Sequence, residues 1–76
     1  MRTDRLLRAR LRETFIITTT TGETWRGVLY AVDARSLVLR DAELVTEAPA
    51  GGASSRTPVD GELIVPRATV AYLQRP

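Results

Sequence analysis

The chain has 76 residues, which makes one domain and leaves no room for a second. It has no cysteine and no histidine, which excludes a disulfide or a zinc ion as a support for its small core. The net charge is +2, and every apolar run is far shorter than the roughly 20 residues that span a bilayer. Oligomerisation is the remaining common way to stabilise a chain of this size. Without cysteine or an apolar secretory segment, we expect a cytoplasmic protein.

All eleven basic residues are arginine, and asparagine is absent. Two explanations of the arginine content are open. GC-rich coding produces such a composition, and the abundance of alanine agrees with it. Recognition of phosphates or bases is the functional explanation, because the planar guanidinium forms paired hydrogen bonds that lysine cannot form.

The N-terminal segment predicts a short amphipathic helix at about 3–12. Thr3 is a plausible N-cap, and Leu6, Leu7 and Leu11 fall on one side of the helix. A helix of this length is not stable alone, so we expect it to lie across one open end of a barrel.

Five short strands follow the helix, with turn residues between them. The enrichment in β-branched and aromatic residues and the alternating apolar positions predict strands at about 14–20, 24–33, 36–45, 61–66 and 70–74. The segment at about 47–60 is rich in glycine, proline and serine and predicts a mobile loop.

Gly27 stands inside the second predicted strand, where glycine is normally unfavourable. Such a glycine marks a sharp bend, a bulge or the close approach of another backbone. A strand bent in this way can belong to two sheets of one small barrel. The sequence therefore predicts a mainly β fold, in which an N-terminal helix precedes a strongly bent five-stranded antiparallel open barrel. A generic barrel of the SH3 type is an alternative with the same strands.

Two spaced motifs carry a resemblance to a known family. The first consists of Gly22, Gly-Val-Leu at 27–29, Val-Asp at 32–33, Leu-Val-Leu at 37–39 and Asp-Ala-Glu at 41–43. The second consists of Gly-Glu-Leu-Ile-Val at 61–65 and Val-Ala-Tyr-Leu at 70–73. With these motifs the chain resembles the Sm and Sm-like (LSm) family over nearly its whole length.

The resemblance implies a ring of six or seven subunits that binds single-stranded RNA at its central pore. In such a ring the fourth strand of one subunit pairs with the fifth strand of the next. The fourth and fifth predicted strands carry no lysine and little charge. They lack the charges that protect an edge strand against pairing, so we expect each to pair with a strand of another subunit. Head-to-tail pairing of two different edges closes a ring when the rotation fits.

The chain departs from the family pattern at two positions where relatives bind RNA. Ser36 stands where the family has an asparagine, and the connection before it is one residue shorter. Pro66 and Arg67 stand where the family has an Arg-Gly pair. Since a serine hydroxyl reaches less far than an asparagine amide, the resemblance alone does not imply the usual uridine pocket.

The candidate RNA-binding residues lie in the two turns that would face the pore, and they are Asp33, Arg35, Ser36 and Arg67. A purely structural role, in which the carboxylate accepts hydrogen bonds from its own turn, is the alternative for Asp33. The arginines of the predicted helix are possible contacts to a nucleic-acid backbone or simply its solvated face, and they are Arg5, Arg8 and Arg12.

The sequence predicts no enzyme, no cofactor and no metal site. Histidine and cysteine are absent as bases or nucleophiles, and the acidic residues lack metal-ligand spacing. Two functions stay open: a ring that binds single-stranded RNA without catalysis, and a structural or protein-interaction ring that has lost the RNA-binding pocket.

Overall fold

The computed structural model describes residues 2–46 and 55–76. These residues form one helix, six strands and a single 3-10 turn, and the elements in chain order are α1 (Arg2–Arg8), β1 (Thr14–Thr19), β2 (Thr24–Val32), β3 (Ser36–Thr46), β4 (Ser55–Pro58), β5 (Glu62–Pro66), the 3-10 turn (Arg67–Thr69) and β6 (Val70–Gln74). Within the two described ranges, no helix combines the length and the hydrophobicity that crossing a membrane would need.

The strands form one antiparallel sheet in the order β4-β3-β2-β1-β6, and β5 pairs with β3 beside this path. The long strand β3 pairs with β5 through residues 36–40 and with β4 through residues 43–46. Among the described strands, β5 pairs only with β3 and β6 pairs only with β1. The strand β4 likewise pairs only with β3. The sheet is therefore bent but not closed, as the sequence predicts, and it keeps two open sides, one formed by β4 and β5 and the other by β6.

The bend of the sheet comes from two irregularities in the pairing of β2 with β3. The first lies opposite Gly27, where Asp41 takes a left-handed conformation with φ of 51° and adds one residue to β3. The second lies at Tyr30, which is the extra residue of β2. Bulges of this kind increase the local twist and re-aim the strands. They let both strands curve around a common core.

The core lies inside the curved sheet, under α1. Alternate residues of β1 and β3 point into it, which explains the period of two in their sequences. The buried apolar residues are Leu7, Phe15, Ile17, Leu29, Leu37, Leu39, Ala42 and Val65. The single tryptophan, Trp25, is half-buried and packs against this cluster.

The helix is shorter than predicted. It ends at Arg8, and the chain then runs through turns to Arg12, which has φ of 74°. The Arg12 N–H donates to the Leu29 carbonyl oxygen at 2.7 Å, a bond to β2 that a continuing helix would not allow. Of the three leucines that the periodicity placed on one side, only Leu7 is buried, whereas Leu6 and Leu11 are exposed. Thr3 lies inside the helix, which begins at Arg2, so it is not the N-cap.

A sixth strand occupies part of the predicted loop. The strand β4 pairs with the second half of β3, and all four of its residues are exposed. A strand that buries no side chain carries no alternating apolar pattern, so the sequence gives no sign of it. Residues 59 and 60 connect β4 toward β5, and residues 47–54 of the predicted loop lie outside the described residues.

Candidate functional site

Two turns meet at one end of the barrel and bring four predicted site residues together. The first turn links β2 to β3 and the second is the 3-10 turn after β5. The Arg67 N–H donates to the Arg35 carbonyl oxygen at 2.8 Å. The Arg67 side chain donates through Nη1 to the Asp33 carbonyl oxygen at 2.9 Å. We call residues 33–36 and 67–69 the paired turns.

Asp33 organises the first of the paired turns. Its Oδ1 accepts hydrogen bonds from the N–H groups of Arg35 at 2.7 Å and of Ser36 at 2.8 Å. The Asp33 N–H donates to the Ser36 carbonyl oxygen at 3.0 Å and closes the turn. These two backbone donors, and after them the positive charges of Arg67 and Arg35, hold the pKa of the Asp33 carboxyl below its ordinary value. The Asp33 carboxylate therefore accepts hydrogen bonds from its own turn, which is the arrangement that a structural role requires.

The two arginines of the paired turns have different surroundings. Arg35 lies at the tip of its turn with an exposed side chain, so its guanidinium faces solvent. Arg67 is half-buried, and its side chain connects the two turns. Two arginines and one aspartate thus belong to the same pair of hydrogen-bonded turns, which leaves this end of the barrel with a local excess of positive charge.

The helix lies at the same end of the barrel as the paired turns. A cavity of about 180 Å³ separates them, and Leu7 of α1 lines it together with Arg67. Its other lining residues are Leu37, Val70 and Leu73, which make it apolar. The exposed side chains of Arg5 and Arg8 belong to the same helix. These two arginines are thus exposed on the helix whose buried Leu7 faces the cavity.

Arg12 is not part of the helix face on which the sequence placed it. Its guanidinium carbon lies 4.7 Å from the centre of the Tyr30 ring, and that of Arg40 lies 4.4 Å from the same ring. Arg40 also binds the Glu62 carboxylate of β5, through Nε at 3.1 Å and Nη2 at 3.0 Å. This cluster escaped the sequence analysis because a strand register, which pairs Arg40 with Glu62, is needed to find it.

A metal site is absent from the part of the chain that the structure describes, since no three acidic side chains there lie close enough to hold an ion. The arrangement at the paired turns offers hydrogen-bond donors and positive charge. Such groups bind anions, and phosphate groups above all.

The sequence matches no family model and no curated protein. Solved structures, however, match its fold. A heptameric archaeal Sm protein is 19% identical with a TM-score of 0.71, over 93% of this chain and 96% of that one. The P. aerophilum SmAP1 heptamer is also 19% identical with a TM-score of 0.71, over 93% of this chain and 88% of that one. The chain therefore has the Sm-like fold that its motifs predict.

A third similar structure comes from a different kind of assembly. A chain in the crystal structure of the NatC complex bound to CoA is 28% identical with a TM-score of 0.67. The match covers 92% of this chain and 83% of that one.

Proposed function

We propose that this chain, with its Sm-like fold, assembles into a ring of identical subunits that binds single-stranded RNA at the paired turns without catalysis. The observation that carries the proposal is the hydrogen-bonded junction of the two turns. It holds Arg35 and Arg67 at one end of the barrel, although they are far apart in the sequence. In a ring, the same two arginines from every subunit would surround one axis.

The open edges of the sheet support the ring. The strands β5 and β6 each pair with one other strand of the chain, so each has one edge without a partner strand. The N–H and C=O groups of such an edge can form hydrogen bonds with a strand of another copy. Because the two edges are different, pairing them between copies is head-to-tail, and it closes a ring when the rotation between neighbouring copies fits. Two solved structures with this fold are heptamers.

The chemistry of the paired turns favours the phosphate backbone of RNA over its bases. Arg35 is exposed, and the backbone of its turn is held in place by Asp33. Because the backbone of the turn is already held, binding of a phosphate by Arg35 orders only its side chain and not the turn. Ser36 offers a short hydroxyl in place of the longer amide of asparagine, which weakens readout of a base edge. We therefore expect affinity for single strands with a weak preference for their sequence.

Fluorescence anisotropy with labelled U-rich and A-rich oligonucleotides, at two salt concentrations, tests this function. We expect both oligonucleotides to bind at low salt and to weaken as salt rises, since phosphate contacts release counterions. Light scattering on the same sample reports the subunit number. A ring that binds neither oligonucleotide at low salt would refute the RNA-binding function and leave the assembly intact.

A protein-interaction function is the second candidate. It is favoured by the similarity to a chain of the NatC complex, and by the missing asparagine at the paired turns. Under this function the chain is one component of a hetero-complex. Native mass spectrometry of the complex isolated from its own source would then show a second protein at fixed stoichiometry. A source complex that contains only copies of this chain and RNA would refute it.

A further inference from the structure

An apolar groove runs beside the open edge of β5. Its volume is about 240 Å³, and its walls come from the β1–β2 hairpin and from β5. The lining residues that matter here are Trp25, Leu63, Ile64 and Val65. Ile64 lies at the centre of β5 and is 62% exposed, and it borders the apolar groove.

The other open edge carries a matching exposed residue. Tyr72 lies at the centre of β6 and is 56% exposed. The described residues include four exposed large hydrophobic side chains, and two of these, Ile64 and Tyr72, stand at the midpoints of β5 and β6, two of the three strands that pair on one side only.

We infer that Tyr72 of one copy packs against Ile64 of the next copy, at the mouth of the groove lined by Trp25. The inference rests on the ring assembly of the proposed function and specifies the register of its seam. Both edge strands have five residues, Glu62–Pro66 and Val70–Gln74. When they are aligned antiparallel over their full length, Tyr72 falls directly opposite Ile64. Aromatic and β-branched residues form favourable cross-strand pairs.

The charges at the ends of the two strands favour the same antiparallel alignment. It brings the acidic start of β5, with Asp60 and Glu62, next to Arg75 at the end of β6. A parallel alignment would instead bring Arg75 toward Arg67, where like charges repel. Within their own chain Arg75 binds Glu13 at 3.3 Å and Glu62 binds Arg40, but exposed ion pairs are weak and can exchange partners.

Disulfide crosslinking tests the register directly, because the natural chain contains no cysteine. Cross-strand neighbours have Cα atoms about 4.5–5.5 Å apart, which lies within the range that a disulfide bridges. The variant with both Ile64→Cys and Tyr72→Cys is treated with a mild oxidant and run on a non-reducing gel. We expect a ladder of covalent oligomers that ends at the subunit number of the ring, and a single monomer band after reduction.

A matched variant with Leu6→Cys and Tyr72→Cys serves as the control, since Leu6 is 65% exposed but belongs to the helix. It should form no ladder. A ring in light scattering without a ladder from the Ile64–Tyr72 variant would overturn the inferred contact while the ring stands. A monomer at micromolar concentration would overturn both.

Substitution to alanine gives a second and independent measurement. Tyr72→Ala and Ile64→Ala should each raise the protein concentration at which the ring dissociates, and the double variant should be no worse than the more harmful single one. The fluorescence emission maximum of Trp25 should shift to longer wavelength as the groove is exposed to solvent. Fully additive effects of the two substitutions, or an unchanged dissociation concentration, would contradict the contact.

Discussion

Gly27 of β2 and Ala42 of β3 approach each other so closely that even a methyl group at Gly27 would force its neighbours to shift. A Cβ atom placed on Gly27 would lie 3.1 Å from the Ala42 Cα, 3.2 Å from its Cβ and 3.3 Å from the Arg40 carbonyl oxygen. Two of these three neighbours are backbone atoms, which cannot rotate away. The close approach lies where Asp41 bulges out of β3, so it is part of the bend that turns a flat sheet into a barrel.

Gly27→Ala should therefore destabilise the fold. The overpacking costs about 1–3 kcal/mol, and it exceeds the gain of about 0.4–1 kcal/mol that replacing glycine brings through the unfolded chain. Urea unfolding followed by circular dichroism measures the difference. Ala31→Val adds more atoms to an exposed position of the same strand, and should change stability by less than about 0.5 kcal/mol. A Gly27→Ala variant as stable as the natural chain would show that β3 can move away.

The fold could be predicted from the sequence wherever burial leaves a pattern. Ile17, Leu37 and Leu39 alternate with half-buried residues, so their strands are visible as a period of two. Gly27 indicates the bend. In contrast, β4 buries nothing and has no pattern, and the end of the helix depends on a bond from Arg12 to β2 that no local propensity encodes.

The candidate site could be predicted only in part, for a related reason. Asp33 and Ser36 are close in sequence, so their turn was predictable from local chemistry. The bonds from Arg67 to the first turn join residues more than thirty positions apart, and they exist only because β3 and β5 pair in one register. The sequence therefore could not predict that Arg35 is exposed whereas Arg67 connects the two turns.

Asp33→Asn should make the free energy of unfolding depend less on pH in acid solution. The folded pKa of Asp33 lies below its ordinary value of 3.8, so its contribution is complete above that pH and is lost as the pH falls through the folded pKa. Asparagine keeps an acceptor oxygen for the two backbone donors but does not titrate. We expect the stability gap between the natural chain and Asp33→Asn to be constant near neutral pH and to shrink as the pH falls below the ordinary value of 3.8. Urea midpoints across this range measure the gap.

Asp60→Asn removes one carboxylate from an exposed loop and controls for the change in net charge. A gap of the same size and pH dependence for Asp60→Asn would mean that the Asp33 effect is general electrostatics rather than the turn.

Arg35→Ala should weaken RNA binding and reduce its dependence on salt. Each phosphate contact to a single strand contributes about 0.7 to the slope of log affinity against log salt concentration. The slope should fall by about that amount for each Arg35 that contacts the bound strand, and Arg35→Lys should retain most of it because a phosphate contact needs charge rather than a fork. Anisotropy titrations at several salt concentrations give the slope.

Arg56→Ala is the matched control for this loss of charge. Arg56 is exposed, binds Glu43 at 3.2 Å, and lies on β4, beside the half of β3 remote from the paired turns. Its removal should leave the slope unchanged. If Arg56→Ala reduced the salt slope as much as Arg35→Ala does, RNA would bind at another surface or without a defined site, and not at the paired turns.

Leu7 and Leu6 are adjacent in the helix but should respond very differently to truncation. Leu7 is buried in the core, whereas Leu6 is exposed. Leu7→Ala should cost about 2–5 kcal/mol of unfolding free energy, and Leu6→Ala less than about 0.5 kcal/mol. Urea unfolding of the two variants checks the docking of the helix. Equal costs would mean that the helix presents another face to the barrel.

Arg67→Ala should loosen the paired turns as well as remove a charge. The lost hydrogen bond from Nη1 to the Asp33 carbonyl oxygen is worth about 0.5–1.5 kcal/mol, so the Ser36 amide should exchange with solvent roughly two- to tenfold faster. The amide of Ile17, in the core strand β1, should keep its exchange rate.

Arg67→Lys separates the two effects, because lysine keeps the charge but cannot reproduce the fork that reaches the carbonyl. If Arg67 positions the turns, Arg67→Lys exchanges as fast as Arg67→Ala at Ser36 while it retains the salt dependence of RNA binding. Slow exchange at Ser36 in both variants would instead mean that Asp33 alone holds the turn, and that Arg67 acts only through its charge.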